Sequence, residues 1–200
     1  MVTVAWDVDD VLNELMRFWF EKKWITEHPK VRLKYVEITE NPPHKLLGVS
    51  KEEYLTSLDE FRLSIKYKKM QPVPEVKNWF VHYGKFFRHI ALTAAPLSCT
   101  PISAAWVIRH FGYWVRSFSF VPSQRKRENL PQYDKTKGDL LRWWGKADIL
   151  VDDSISNVEE AQSMGMQAIL MPQPWNNSKL TTEQTLELLM NLTRKMSPHD

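Results

Sequence analysis

Segments typical of β-strands and of α-helices alternate along most of this 200-residue chain. β-branched, alternating runs favour strands, and apolar residues three and four positions apart favour helices. The predicted strands cover residues 2–8, 88–92, 115–121, 148–151 and 167–171. The predicted helices cover residues 11–25, 51–58, 75–83, 102–111, 138–144 and 158–164, with a last helix running from a capping box at Thr181 to about residue 195. This alternation predicts an α/β fold with a parallel sheet covered by helices on both faces.

Acidic residues follow two of the predicted strands. The first strand runs into DVDD (7–10), and the strand at 148–151 runs into Asp152 and Asp153. Thr93 follows the strand at 88–92. Because ligands of open α/β sheets bind beyond the carboxyl ends of the strands, we expect these groups to converge. A Mg²⁺ ion, which prefers oxygen ligands, would relieve the repulsion between the carboxylates.

The spacing of the first acids suits phosphoryl transfer. In an extended stretch Asp7 and Asp9 point to the same side. One carboxylate can attack phosphorus and form an aspartyl phosphate, and the other can exchange protons with the leaving oxygen and with water. The hydroxyl of Thr93, the backbone N–H of Ala94 and a lysine would bind the phosphoryl oxygens.

Four motifs in this order resemble the haloacid dehalogenase (HAD) superfamily of phosphohydrolases. They are DVDDV (7–11), a strand ending in Thr93, a later lysine, and a strand ending in DD (152–153). Within that superfamily the chain is most similar to the 5'(3')-deoxyribonucleotidase group. The additional cues are a helical insertion after the first motif, the stretches QPVPEVKNW and LTAAP, the tripeptide DKT, and VDDS followed by a strand and PWN.

The resemblance assigns roles to individual residues. Asp7 matches the nucleophile, and Asp9 matches the general acid/base, with its backbone carbonyl facing the metal. Asp152 matches the metal-ligating aspartate, and Asp153 is a second ligand or supports the first. Thr93 matches the phosphate-binding hydroxyl. The implied metal site therefore comprises Asp7, Asp9, Asp152 and Asp153.

Two lysines are candidates for the lysine of the motif. Lys137 opens a helix 15 residues before the acidic pair (152 − 137), which suits bacterial and phage-like members. Lys135 lies in DKT, as in the animal nucleotidases. We prefer Lys137 and keep Lys135 as the alternative.

The resemblance also implies a domain layout and a substrate class. It implies a Rossmann-like three-layer sandwich, with a catalytic core at 1–14 and 86–200 and a small helical cap at 15–85. The implied activity is Mg²⁺-dependent phosphomonoester hydrolysis, with a nucleoside monophosphate as substrate. The alternatives are a phosphatase for a sugar phosphate, another small metabolite or a nucleic-acid end, and a non-catalytic module that binds phosphate and metal.

Two positions depart from the family pattern. Asp10 stands where many members have glycine, and Leu15 stands where the deoxyribonucleotidases place an aromatic residue against the base. Phe18, Trp19 and Tyr67 are the candidates to replace that aromatic contact.

Simpler explanations exist for several of these residues. The acids at 7–9 and at 152–153 could cap the helices that follow them. The basic run 125–127 is typical of a solvated surface, and the alternative is a role in attracting an anionic substrate. The net charge of +3 does not indicate a nucleic-acid partner. The single cysteine, Cys99, and the absence of a signal peptide or of a long apolar run predict a cytoplasmic protein without a membrane partner. The content of Trp and Phe fits a homodimer.

Overall fold

A computed structural model describes residues 1–126 and 128–196; Arg127 of the basic run and residues 197–200 of the predicted core lie outside it. Five parallel strands form one sheet in the order β3-β2-β1-β4-β5. The strands are β1 (Thr3–Trp6), β2 (Arg88–Ala95), β3 (Val115–Pro122), β4 (Ile149–Asp152) and β5 (Gln167–Leu170).

Helices fill most of the chain between the strands. A π-helical stretch, Phe20–Trp24, joins α1 to α2, and short 3₁₀ helices cover Tyr35–Glu37 and Gly84–Phe86. In the described part of the chain, no helix has both the length and the apolarity needed to cross a membrane. The α-helices are α1 (Leu15–Trp19), α2 (Ile25–Glu27), α3 (Lys51–Leu63), α4 (Ile65–Lys68), α5 (Pro74–Tyr83), α6 (Thr100–Phe111), α7 (Lys137–Trp144), α8 (Ile155–Ser163) and α9 (Thr182–Met196).

The central strand shows how the layers are arranged. Successive residues of a strand point to opposite faces of the sheet. Val4 and Trp6 of β1 belong to the larger apolar core, which includes residues of α5, α6 and α9. Ala5 belongs to a smaller core formed with α7 and α8. Helices thus cover both faces, and the predicted α/β fold with a parallel sheet is confirmed.

The first helix begins four residues later than predicted, at Leu15 instead of residue 11. Asp10 adopts a left-handed backbone conformation, with φ of 63°, which interrupts any helix there. The Asp10 carboxylate then accepts a hydrogen bond from the Met16 N–H (2.8 Å), and the Asn13 side chain accepts one from the Leu15 N–H (3.0 Å). The helix therefore begins after these two side chains, which satisfy its first N–H groups.

Helix α3 ends five residues later than predicted, at Leu63 instead of residue 58. Its buried face continues with helical spacing through Leu58, Phe61 and Arg62. In the structure Arg62 is buried, because acidic side chains pair with it.

The division into a core and a cap at 15–85 stays a prediction, and the contacts of α5 suggest a different end for the cap. Trp79 and Phe80 of α5 pack against Trp6 of β1, with ring centroids 5.3 and 4.9 Å away. Helices α3 and α4 instead lie over the carboxyl edge of the sheet, where Arg62 and Tyr67 contact Asp9. We therefore propose that the insertion ends before Pro74 and that α5 belongs to the core.

Candidate active site

Several chain segments meet around one cavity of about 280 Å³ at the carboxyl edge of the sheet. Asp7 follows β1, Thr93 and Ala94 lie near the end of β2, Asp153 follows β4, and Lys137 is the first residue of α7. All five line the cavity, and α3 closes it from the opposite side. The structure thus brings together groups that are separated by up to 146 residues in sequence (153 − 7).

Lys137 lies between two carboxylates. Its Nζ is 2.7 Å from Asp7 Oδ1 and 2.7 Å from Asp152 Oδ2, and its side chain is only 3% exposed. Burial by itself lowers the pKa of Lys137, but attraction to Asp152 and Asp7 outweighs it and raises the pKa above its ordinary value. Lys137 therefore carries a positive charge directly beside Asp7.

The start of α7 explains why Lys137, and not Lys135, reaches the cavity. Thr136 and Asp139 form a capping box, in which the Thr136 hydroxyl accepts from the Asp139 N–H (3.0 Å) and the Asp139 carboxylate accepts from the Thr136 N–H (3.3 Å). Lys135 precedes this cap, is exposed and does not line the cavity. The preferred lysine of the two is thus the one that contacts Asp7.

Asp7 has one occupied and one free carboxylate oxygen. Oδ1 accepts a hydrogen bond from the Val8 N–H (2.7 Å) and contacts Lys137. Oδ2 accepts no hydrogen bond from any residue that the structure describes. Burial raises the pKa of Asp7 well above its ordinary value; Lys137 lowers it, and the carboxylates of Asp152 and Asp153 raise it further.

Asp152 is saturated by the protein itself. It is fully buried, and Oδ2 contacts Lys137. Oδ1 accepts hydrogen bonds from the Ser154 N–H (2.9 Å) and from the Asn157 side chain (3.0 Å). Asp152 therefore holds Lys137 in place and does not line the cavity.

Asp153 presents an oxygen to the cavity. The Trp175 indole N–H donates to Oδ2 (2.9 Å), and the Asn176 side chain donates to the backbone carbonyl of Asp153 (2.9 Å). Within the described ranges, Oδ1 accepts no hydrogen bond. Burial raises the pKa of Asp153 well above its ordinary value, and Asp152 adds to this effect. Trp175 and Asn176 belong to the PWN stretch, so this sequence cue has a physical role, the orientation of Asp153.

The donor set fits a hard divalent cation. Asp7, Asp152 and Asp153 each offer a carboxylate oxygen, and these oxygens lie within 4.8 Å of one another. The backbone carbonyl of Asp9 lies in the turn after β1, which also contains Asp7. It accepts no hydrogen bond from the described residues. Burial and neighbouring carboxylates raise the pKa values of Asp7 and Asp153, and a cation would stabilise both groups in their charged form.

Asp9 is held by side chains of the insertion. Arg62 donates to Oδ2 through Nε (3.2 Å) and Nη2 (3.0 Å). Oδ1 accepts from the Tyr67 hydroxyl (3.2 Å) and from the Asn13 side chain (3.1 Å). Burial raises the pKa of Tyr67 well above its ordinary value, and the charge of Asp9 raises it further, so the phenol remains a donor. Asp9 lines the cavity but is turned toward α3 and α4.

Asp10 shows why glycine is common at this position of the motif. Its φ of 63° lies in the left-handed region, which glycine adopts without a steric cost. The aspartate compensates by capping α1 through Met16, and its backbone carbonyl accepts from the Gln173 side chain (2.7 Å). Burial raises the pKa of Asp10 well above its ordinary value, whereas the bond from Met16 lowers it. Of the acids in DVDD, Asp10 is the one that caps the helix.

The strand β2 continues past Thr93 and carries it into the sheet. Thr93 pairs with Phe120, and Ala94 pairs with Val121. Strand β2 ends at Ala95, three residues later than the predicted end at residue 92. Thr93 is buried, and its hydroxyl makes no hydrogen bond with the residues that the structure describes. It lines the cavity with Ala94, as an anion-binding hydroxyl requires.

Sequence reasoning missed two arginines at this site. Arg62 was not considered, and the run containing Arg125 was assigned to a solvated surface. Arg125 is only 19% exposed and pairs with Asp59 of α3 (2.5 Å). The only sequence signal was the pair Asp59 and Arg62, three residues apart, where opposite charges are commonly read as a solvated ion pair.

The aromatic contact of the cavity also differs from the sequence interpretation. Phe18, Trp19 and Tyr67 do not line the cavity; Trp19 is fully buried and donates to Ser57. The aromatic residue that does line it is Tyr54 of α3. The sequence could have indicated Tyr54, because it lies four residues before Leu58 and so on the same face of the predicted helix 51–58.

Comparisons with known proteins agree on the fold. No family model and no curated protein matches the chain. A protein described as a predicted phosphatase from Clostridium acetobutylicum aligns with a TM-score of 0.59 and 13% identity over 99% of each chain. A haloacid dehalogenase-like hydrolase from Streptococcus pneumoniae aligns with a TM-score of 0.58 and 11% identity over 96% of this chain and 98% of that one.

A third solved structure carries a metal. It is a HAD hydrolase from Bacillus subtilis bound to magnesium, with a TM-score of 0.53 and 12% identity over 96% of this chain and 98% of that one. At these identities the likeness concerns the fold. The chain has the fold of the HAD-superfamily hydrolases.

Proposed function

We propose that this protein is a Mg²⁺-dependent phosphomonoester hydrolase. The observation that carries the proposal is the environment of Asp7. One of its oxygens is held by Lys137 and the Val8 N–H, the other accepts no hydrogen bond from the described residues, and Thr93 lines the same cavity. A nucleophile needs such a free oxygen, and a phosphoryl group needs a cation and donors beside it.

The reaction has two steps. Asp7 Oδ2 attacks phosphorus, and the bond from phosphorus to the ester oxygen breaks. Asp9, which has to take up a proton before this step, gives that proton to the departing alcohol. Water then attacks the phosphorus of the aspartyl phosphate, and the Asp9 carboxylate takes a proton from that water. The bond from phosphorus to Asp7 breaks, so that inorganic phosphate leaves, Asp7 is again a carboxylate and Asp9 is again protonated.

Asp7, Asp153 and the Asp9 carbonyl are the groups that would hold Mg²⁺. When bound, the ion would neutralise negative charge on the phosphoryl oxygens and on the carboxylates. Asp152 is proposed as the residue that orients Lys137, since both of its oxygens are engaged by the protein. Thr93, the Ala94 N–H and Lys137 are proposed to bind the phosphoryl group.

The wall that α3 contributes to the cavity supports a nucleoside monophosphate as substrate. Tyr54, Leu55 and Leu58 of α3 line this part of the cavity together with Leu15 and Met16 of α1. An aromatic ring among aliphatic side chains suits a planar base. The cavity volume of about 280 Å³ lies just below the roughly 300–1,000 Å³ that is usual for ligand pockets, which favours a small monophosphate.

Phosphate release from a panel of esters tests this proposal. The panel contains 5'- and 3'-nucleotides, their deoxy forms, sugar phosphates and p-nitrophenyl phosphate, each with Mg²⁺ and with a chelator. We expect turnover that the chelator abolishes and that is fastest with one nucleotide. Asp7→Asn is expected to lower kcat by about 10³-fold or more, because the nucleophile is lost. Lys137→Met is expected to lower kcat/KM by about 10²-fold, because a cation beside the phosphoryl group is lost.

The matched control is Lys135→Met, which removes an exposed lysine two residues away and should keep the activity of the parent. Full activity of Asp7→Asn would overturn the assignment of the nucleophile. Turnover of sugar phosphates alone would keep the mechanism and replace the substrate. No turnover of any ester would favour a non-catalytic module. A cytoplasmic location and a homodimer stay predictions.

A further inference from the structure

Arg62 is a buried arginine that reaches across the cavity from α3. Its side chain is 8% exposed, and it binds Asp9 Oδ2 with two of its nitrogens, Nε at 3.2 Å and Nη2 at 3.0 Å. Both bonds are charge-assisted and converge on the same oxygen, so that Arg62 restrains where Asp9 Oδ2 lies. Arg62 belongs to the insertion, whereas Asp9 belongs to the turn after β1.

The third nitrogen of Arg62 connects this contact to a network of ion pairs. Nη1 donates to Asp59 Oδ1 (2.9 Å), one turn earlier on α3. Asp59 also accepts two bonds from Arg125, through Nε (2.5 Å) and Nη2 (2.9 Å). Arg125 follows β3 and donates in turn to the carbonyl and hydroxyl of Ser123. Helix α3 is therefore bound to the core at two points, through Asp9 and through Arg125.

The two positive and two negative side chains of this network neutralise one another. Arg62 and Arg125 face Asp9 and Asp59, so neither arginine is left free for a substrate anion. A phosphate-binding role for the two arginines is thus less favourable than a role toward Asp9. The four donors around Asp9, two of them from Arg62, set where the carboxylate points.

We infer that Arg62 is a positioning residue, which sets the direction of the Asp9 carboxyl group for proton transfer. The Asp59–Arg125 pair joins α3 to the core at a second point and does not touch Asp9. This inference rests on the proposed function, because it takes Asp9 to be the general acid. It assigns Arg62 to the proton-transfer step instead of to phosphate binding.

The acidity of the leaving group separates positioning from simple loss of structure. A departing phenol that is weakly acidic needs the proton from Asp9, whereas p-nitrophenol leaves readily as its anion. Phenyl phosphate and p-nitrophenyl phosphate share one ring and one phosphoryl group. A misplaced Asp9 therefore lowers kcat/KM for phenyl phosphate more than for p-nitrophenyl phosphate, whereas a damaged cavity lowers both alike.

The experiment measures kcat/KM for both esters, with Mg²⁺, in the parent, Arg62→Met, Arg62→Lys and Arg125→Met. We expect Arg62→Met to lower the ratio of kcat/KM for phenyl phosphate to kcat/KM for p-nitrophenyl phosphate by about tenfold or more. Arg62→Lys should recover part of that ratio, because one cationic donor remains. Arg125→Met removes the other ion pair between α3 and the core and should leave the ratio at the parent value, with any loss shared by both esters.

Two results would overturn the inference while the proposed function stands. In the first, Arg62→Met lowers kcat/KM for both esters by the same factor. In the second, Arg125→Met changes the ratio of the two kcat/KM values as much as Arg62→Met does. If Arg62→Met does not fold, the comparison of Arg62→Lys with Arg125→Met decides in the same way. A parent that hydrolyses no ester overturns the proposed function first, and the inference with it.

Discussion

Helices α3 and α5 both lie in the segment predicted as the cap, yet they contact the rest of the molecule in opposite ways. Helix α5 uses aromatic rings: Trp79 lies 5.3 Å from Trp6 and 5.6 Å from Phe87, and Phe80 lies 4.9 Å from Phe111. Helix α3 buries Tyr54, Leu58 and Phe61, with Tyr54 5.3 Å from Trp19 of α1 inside the same segment. It contacts the edge of the sheet through the ion pairs of Asp59 and Arg62.

The difference shows which part of the segment is able to move. Separating α5 from the sheet would expose large apolar surfaces, at a cost proportional to their area. Separating α3 from Asp9 and Arg125 would break ion pairs whose side chains are 8–19% exposed, and the hydration that the separated charges regain would offset much of the lost attraction. A closing motion over the site is therefore expected in α3 and α4 and not in α5.

The largest effect is expected from the apolar contact. Trp79→Ala should lower the free energy of unfolding by about 3–5 kcal/mol, because it removes a buried ring from the face of the sheet. Urea denaturation followed by circular dichroism measures this. Val81→Ala on the same helix is the control, since Val81 is 57% exposed and its loss should cost less than about 0.5 kcal/mol. Equal costs for the two variants would show that α5 is not anchored by its aromatic face.

The second prediction concerns His89, which lies beneath α5. The Trp6 indole donates to Nδ1 (3.0 Å), so the proton is on Nε2, which donates to the Gly84 carbonyl (2.8 Å). Burial lowers the pKa of His89 to about 4, although the bond to Gly84 opposes this. The unfolded chain, with an ordinary pKa near 6.5, binds the proton more readily, so stability falls as pH decreases from 6.5 toward 4.

This loss should amount to about 3 kcal/mol for His89 alone. The measurement is the free energy of unfolding at pH 7 and at pH 4.5, in the parent and in His89→Gln, whose amide keeps a donor and an acceptor but does not titrate. The difference between the two pH values should be smaller in the variant by roughly that amount. An identical pH dependence in both proteins would contradict the buried neutral histidine.

The smallest effect is expected from the ion pairs of α3. Arg125→Met should lower the free energy of unfolding by about 1 kcal/mol, because the Asp59–Arg125 pair is largely shielded from water. Lys126→Met removes the neighbouring pair with Glu52, which is 80% and 62% exposed, and should cost close to nothing. Urea denaturation at low and at high salt compares the two. A cost for Arg125→Met as large as that for Trp79→Ala would remove the distinction between α3 and α5.

The sheet and the groups at its edge follow from features that are local in sequence. β-branched runs, helical periods and capping residues each involve a few neighbouring positions, and they predicted the α/β fold that the structure confirms. Because parallel strands end at one edge, Asp7, Thr93 and Asp153 could be expected near one another without knowledge of any contact. Lys137 was chosen over Lys135 on the resemblance to the HAD motifs. The catalytic roles of these residues stay predictions until the nucleophile and the lysine variants are measured.

The ion pairs that α3 forms at the cavity could not be predicted from the sequence in the same way. Arg62 pairs with Asp9 across 53 residues, and Arg125 pairs with Asp59 across 66, and neither pair leaves a local pattern. Similarly, the free oxygen of Asp153 and the saturation of Asp152 depend on Trp175, Asn157 and Lys137. Local periods decide which elements form and where acids follow strands, whereas the direction of each side chain depends on partners that only chain folding brings within reach.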